Sequence, residues 1–126
     1  QVGTRFLIAD ECLIHENYKE KLLKASDVST MVTGKSMGDA VRCLKTPFSK
    51  KFFKMEYDPA VPKEEVLDFG KGAMRKAVFD GDNMGSYLAG EVAGMIKKKE
   101  SAKDIVEDIM GGAEKLLKNA PSLIVG

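Results

Sequence analysis

At 126 residues the chain is the size of one domain with one core. Lysine and arginine total 20 against 19 aspartates and glutamates, a formal net charge of +1, so no clustered cationic excess points to a nucleic-acid or membrane-surface binder. Its apolar runs fall far below the ~20 residues of a membrane helix. Two cysteines, Cys12 and Cys43, and a single histidine, His15, lack metal-ligand spacing, so neither a disulfide nor a metal site is expected and the setting reads as reducing and cytoplasmic.

Gln1-Val2-Gly3-Thr4 begins the chain without a methionine or leader, and residues 1–8 read as the end of a buried strand entering a helix turn. Tyr18, Leu22 and Leu23 share the apolar face of a helix expected from His15 to Ala25. Asp27 to Thr33 is rich in β-branched residues and predicts a short extended segment. Gly34 and Gly38 bracket a loop leading to Ala40–Lys45. Pro47 marks the start of an amphipathic helix reaching about Tyr57. Asp58-Pro59-Ala60-Val61-Pro62 is a linker, and Pro62-Lys63-Glu64-Glu65 opens a further helix with apolar face Val66, Phe69, Ala73, Met74, Ala77 and Val78. A helix from about Gly85 to Lys98 is predicted next, with Lys97-Lys98-Lys99 as its solvated end. Ser101 to Asp104 forms a capping box for the last helix, whose stripe is Ile105, Ile109, Ala113, Leu116 and Leu117. Gly111-Gly112 weakens that helix by about 1 kcal/mol per glycine, and Pro121 ends it.

Three groups of residues carry possible chemistry. Gly3 offers close backbone approach, Thr4 a hydroxyl and Arg5 charge, all at a helix start, which suits a phosphate; an ordinary strand-to-helix turn has the same look. Gly85 and Ser86 precede the small residues Ala89, Gly90, Ala93 and Gly94, which form either a helix-packing face or the wall of a pocket. His15 is an acid–base candidate by residue type, and a capping or surface residue by position. No nucleophilic triad and no paired carboxylates are visible.

Taken in order, Gln1-Val2-Gly3-Thr4-Arg5-Phe6, Ala9-Asp10-Glu11, His15 to Glu20, Gly34 to Lys45, and Gly81-Asp82 with Gly85-Ser86, Ala89-Gly90 and Ala93-Gly94 resemble one family. It is the flavin-dependent enoyl-acyl carrier protein reductase II and nitronate monooxygenase (2-nitropropane dioxygenase-like) superfamily, and the similarity runs to about Lys118. The resemblance implies a mostly helical fragment: the last strand and helical domain of an α/β, FMN-binding TIM barrel. Residues 1–12 would be that strand and the FMN-phosphate turn, 13–120 the helical region and 121–126 a tail. It implies FMN contacts at Gln1, Val2, Gly3 and Thr4, and a substrate pocket near Gly85 and Ser86. The electron donor would be NADH or NADPH, and the substrate an enoyl thioester on acyl carrier protein, in fatty acid synthesis, or a nitronate. A homodimer is expected. The family's catalytic histidine would lie upstream of Gln1, leaving the fragment inactive alone. One departure is Glu91, where family members often carry glutamine. A non-catalytic helical interaction module or a truncated product is the reading from another class. Without barrel neighbours, residues 1–8 are expected to fray, to pair in a dimer or to become helix.

Overall fold

The computed structural model describes residues 2–123. They form six α-helices and one small sheet: α1 Gly3–Phe6, α2 Glu16–Leu23, β1 Thr30–Thr33, β2 Val41–Leu44, α3 Pro47–Glu56, α4 Lys63–Gly70, α5 Ala73–Arg75 and α6 Ala102–Asn119. A single π turn, Lys76–Asp80, prolongs α5, and a 3-10 helix spans Glu91–Met95. The mostly helical character agrees with the sequence reading; a barrel is not formed by the described residues. No described helix is long and apolar enough to cross a membrane.

Local chemistry explains several starts. His15 caps α2 by accepting from the Asn17 amide at 3.1 Å. Thr46 and Ser49 make a reciprocal box at α3, with Pro47 in the first turn. The Ser101 hydroxyl accepts from the Asp104 amide at 3.0 Å and opens α6. β1 and β2 pair antiparallel with Thr30 opposite Leu44 and Val32 opposite Arg42. At the hairpin tip the Glu56 carboxylate accepts from the amides of Gly34 and Ser36, each at 2.8 Å.

Three expectations are corrected. The strand end expected in residues 1–8 is not formed among residues 2–8, and of the alternatives conversion to helix is the one seen, from Gly3 to Phe6. A strand needs a partner to satisfy its amides and carbonyls, whereas a helical turn satisfies them locally, as in the Arg5 amide to Val2 carbonyl bond of 3.0 Å. The helix predicted from Pro62 to Val78 stops at Gly70, where Lys71 turns to ψ 126° before α5 begins. The helix predicted from Gly85 to Lys98 is replaced by an extended stretch at residues 86–90 beside β2, followed by the 3-10 helix Glu91–Met95. The Leu44 amide donates to Tyr87 at 2.8 Å and the Ala89 amide to Arg42 at 3.1 Å. Close approach explains why glycine suits this stretch: a Cβ on Gly85 would lie 2.6 Å from the Ala77 nitrogen, and one on Gly94 2.5 Å from the Asp27 nitrogen.

The core joins Ile8, Tyr18, Leu22, Leu44, Ala77, Tyr87, Ala93 and Ile96. Tyr18 and Tyr87 meet edge-on at 4.8 Å. Their hydroxyls donate to the Leu88 and Asp82 carbonyls, each at 2.8 Å, so the polar ends are satisfied inside an apolar cluster. Lys19 of α2 is buried and donates to the Ala9 carbonyl at 2.8 Å. A second apolar group stacks Phe48 on Phe69 at 5.2 Å, between α3 and α4.

The stripe of α6 packs only at its start: Ile105 is fully buried, Ile109 half-buried, and Leu116 and Leu117 are exposed. Pro121 lies in a 3-10 turn that follows α6. Gly111 and Gly112 face open space. Replacing either by alanine is expected to stabilise the fold by about 0.5–1 kcal/mol, raising the urea midpoint without changing the slope.

Candidate functional site

Thr4 is the hinge of the site. Its hydroxyl oxygen accepts the Gly90 amide at 2.9 Å, joining α1 to the stretch beside β2. Of the family-derived FMN residues, Val2 sits at the N-terminal boundary of α1, Gly3 and Thr4 form its first turn, and Gln1 lies outside the described residues. A cleft of about 690 Å³ opens between them and residues of the second stretch, lined by Gly3, Thr4, Arg42, Gly90, Glu91 and Val92. The volume is in the range of small-ligand sites.

Arg42 belongs to the Gly34–Lys45 motif, and nothing in the sequence marks it as a residue of this cleft. Strand alternation sends Cys43 into the core and leaves Arg42 half-buried. Its Nη1 donates to Thr30 Oγ1 at 3.1 Å and its Nη2 lies 2.6 Å from Glu91 Oε1. Glu91, recognised as a departure from the family pattern, is thus the partner of a cation in the cleft.

Gly85 and Ser86 are not brought to this cleft. Gly85 packs on Ala77, and Ser86 donates its amide to the Ala73 carbonyl at 2.9 Å. Ser86 lines a separate, more apolar cavity of about 430 Å³ with Met37, Phe52, Leu67, Met74 and Leu88. It stands at no helix N-terminus. The small residues Ala89 and Ala93 are buried in the core rather than on one helix face. His15 is the capping residue of the two alternatives: Nδ1 is occupied by the Asn17 amide, and the backbone amide donates to Val78 at 2.8 Å.

On the far side of α1, Arg5 bridges Glu100 at 2.9 Å and Asp108 at 2.8 Å, while Lys98 reaches Glu100 at 2.7 Å. Hydrogen bonds from Lys98, then from Arg5, hold the Glu100 carboxyl below its ordinary pKa. The same contacts push Arg5 and Lys98 up. Lys99 ion-pairs with Glu16 and lowers its pKa, tying the end of this segment to α2. Burial pushes the Cys43 thiol and the Tyr18 and Tyr87 phenols up, so none is primed as a nucleophile or proton acceptor near neutrality.

The cleft beside α1 thus pairs one arginine with one glutamate on its wall. The profile of the nitronate monooxygenase family matches residues 1–112, and the chain belongs to that family. It is similar to FabK from Thermotoga maritima, with 35% identity and a TM-score of 0.89, covering 96% of this chain and 38% of that one. A point mutant of the same protein gives 33% identity and a TM-score of 0.78, over 96% of this chain and 36% of that one. A probable nitronate monooxygenase from Staphylococcus saprophyticus is 25% identical over 118 residues, 93% of this chain and 33% of the relative. The chain therefore spans about a third of the length of the curated relative it matches.

Thr4→Val removes the acceptor for the Gly90 amide and is expected to cost about 1 kcal/mol, with Thr4→Ser close to wild type in chemical denaturation. Glu100 should make the fold acid-sensitive. Its lowered pKa contributes stability above the unfolded-state value, and that contribution fades as pH falls through the lowered one. Thermal melts from about pH 6 down to pH 2 should fall less steeply for Glu100→Gln than for wild type.

Proposed function

We propose that this chain is the cofactor-closing segment of an FMN-dependent oxidoreductase that reduces enoyl thioesters on acyl carrier protein with NADH or NADPH. The observation that carries it is the cleft in which Gly3 and Thr4, which the family resemblance assigns to FMN, stand beside Arg42. The donor set fits a phosphate: helix-start amides at Gly3 and Thr4, a Thr4 hydroxyl that has no acceptor among the described residues while its oxygen accepts from Gly90, and the Arg42 guanidinium. These residues would hold the phosphate end. Bound FMN would supply hydride transfer between the nucleotide and the substrate double bond.

The chain's own part is to orient. Thr4 bonded to Gly90 keeps the two walls of the cleft in register, and β2 supports Arg42 from below. Ser86 and Leu88 lie on the wall of the apolar cavity, whose Met37, Leu67 and Met74 suit an aliphatic substrate portion. The proton donor is read as a histidine outside this chain, since His15 is committed to its cap. A homodimer and a cytoplasmic setting belong to the same reading.

Identity of 35% to FabK against 25% to the curated nitronate monooxygenase supports the reductase reading. The family match itself favours nitronate oxidation as the second reading. The longer protein carrying this chain should purify yellow, with a flavin spectrum. NADH or NADPH oxidation should then depend on crotonyl thioester. Dependence on a nitronate and oxygen instead would establish the second reading, and a colourless protein unable to take up FMN would overturn both.

A further inference from the structure

Among the described residues that line the cleft beside Thr4, Arg42 is the only cation and Glu91 the only anion. Arg42 is rigidly mounted. Its backbone faces Val32 across the hairpin and accepts from the Ala89 amide on the other side, while Thr30 Oγ1 fixes Nη1. Glu91 is not so held: its side chain is 75% exposed at the first turn of a 3-10 helix, against 33% for Arg42. A pair this exposed changes an equilibrium by no more than about fivefold. A fixed guanidinium capped by a loosely held carboxylate is the arrangement of a competitor, because any stronger anion can take the carboxylate's place.

We propose that Arg42 is a phosphate-recognition residue and that Glu91 is its displaceable internal anion. A phosphate entering the cleft replaces the Glu91 carboxylate on the guanidinium and meets the Thr4 hydroxyl proton as a second donor. Glu91 acts as a threshold. A dianionic phosphate outcompetes it through more charge and a further acceptor oxygen, while a simple carboxylate offers nothing that Glu91 does not already supply. With glutamine at this position the cation would be uncovered and the selection weaker. This rests on the flavoprotein reading for the identity of the ligand: the phosphate is either that of FMN or one carried by the nucleotide donor.

The test follows the Thr4 and Gly90 amides and the Arg42 Nε–Hε signal of the ¹⁵N-labelled 126-residue chain during titration with inorganic phosphate at constant ionic strength. Saturable shifts at these groups are expected. Glu91→Gln should tighten phosphate roughly three- to fivefold, and Arg42→Gln should weaken it by at least about tenfold, with Arg42→Lys between. Acetate should compete poorly with wild type and better with Glu91→Gln. FMN reproducing the shifts where riboflavin does not identifies the flavin phosphate; NADH or NADPH doing so identifies the donor. Absence of saturable shifts in both wild type and Glu91→Gln overturns the proposal, as does unchanged or weaker phosphate binding in Glu91→Gln. That arm decides alone if Arg42→Gln does not fold. Equal FMN uptake by wild type and Arg42→Gln would remove the role of Arg42 while leaving the flavoprotein reading intact. Phosphate binding that tightens in Glu91→Gln, in a chain whose longer parent takes up no flavin, supports the displaceable anion and counts against that reading.

Discussion

Everything that positions the cleft depends on the stretch from Ser86 to Gly90 lying alongside β2. Its hydrogen bonds to Leu44 and Arg42 extend the small sheet by an irregular third segment. Tyr87 is thereby driven into the core against Tyr18, and Gly90 is delivered to Thr4. The result satisfies backbone groups that a buried, glycine-interrupted segment would otherwise leave unpaired. It also sets Glu91 opposite Arg42, although the two are distant in sequence.

Polar anchoring does much of the remaining assembly. Lys19 reaches from α2 to the Ala9 carbonyl inside the protein, where an unpaired ammonium would be costly. Arg5, Glu100, Asp108 and Lys98 link α1, the segment before α6 and α6 itself. Hydrophobic burial is concentrated around the tyrosine pair and the phenylalanine stack, and the later turns of α6 take little part in it. A short fold of this kind therefore relies on side-chain bonds between segments to fix geometry that its core alone does not define.

The elements legible in the sequence are those whose cause is local. Pro47, Ser101 with Asp104, and the apolar face of α2 announce helices through spacing and capping chemistry. The β-branched run before Gly34 likewise reads correctly as extended. Residues 1–8, for which helix was one of the expected outcomes, and residues 85–98, expected as helix throughout, take a state set by what lies beside them. A strand without neighbours becomes helical, and a helix-like pattern of small residues becomes extended when β2 offers pairing. Gly3 and Thr4, assigned by the resemblance to FMN, lie on the cleft wall, whereas the helix expected from Gly85 does not form around Ser86. Arg42 carried no local signal: only its register in β2 and the arrival of Glu91 from a later segment reveal its position.

The hairpin tip has a mechanical consequence. Because one carboxylate, that of Glu56 at the end of α3, grips two amides of the tip, the loop and the helix are fastened as a single lever. A tilt of α3 would carry Met37 with it, and the mouth of the cavity holding Ser86 would widen or narrow as the phenylalanine stack shifts. The width of that mouth is thus governed from the helix pair behind it, rather than by the loop that borders it.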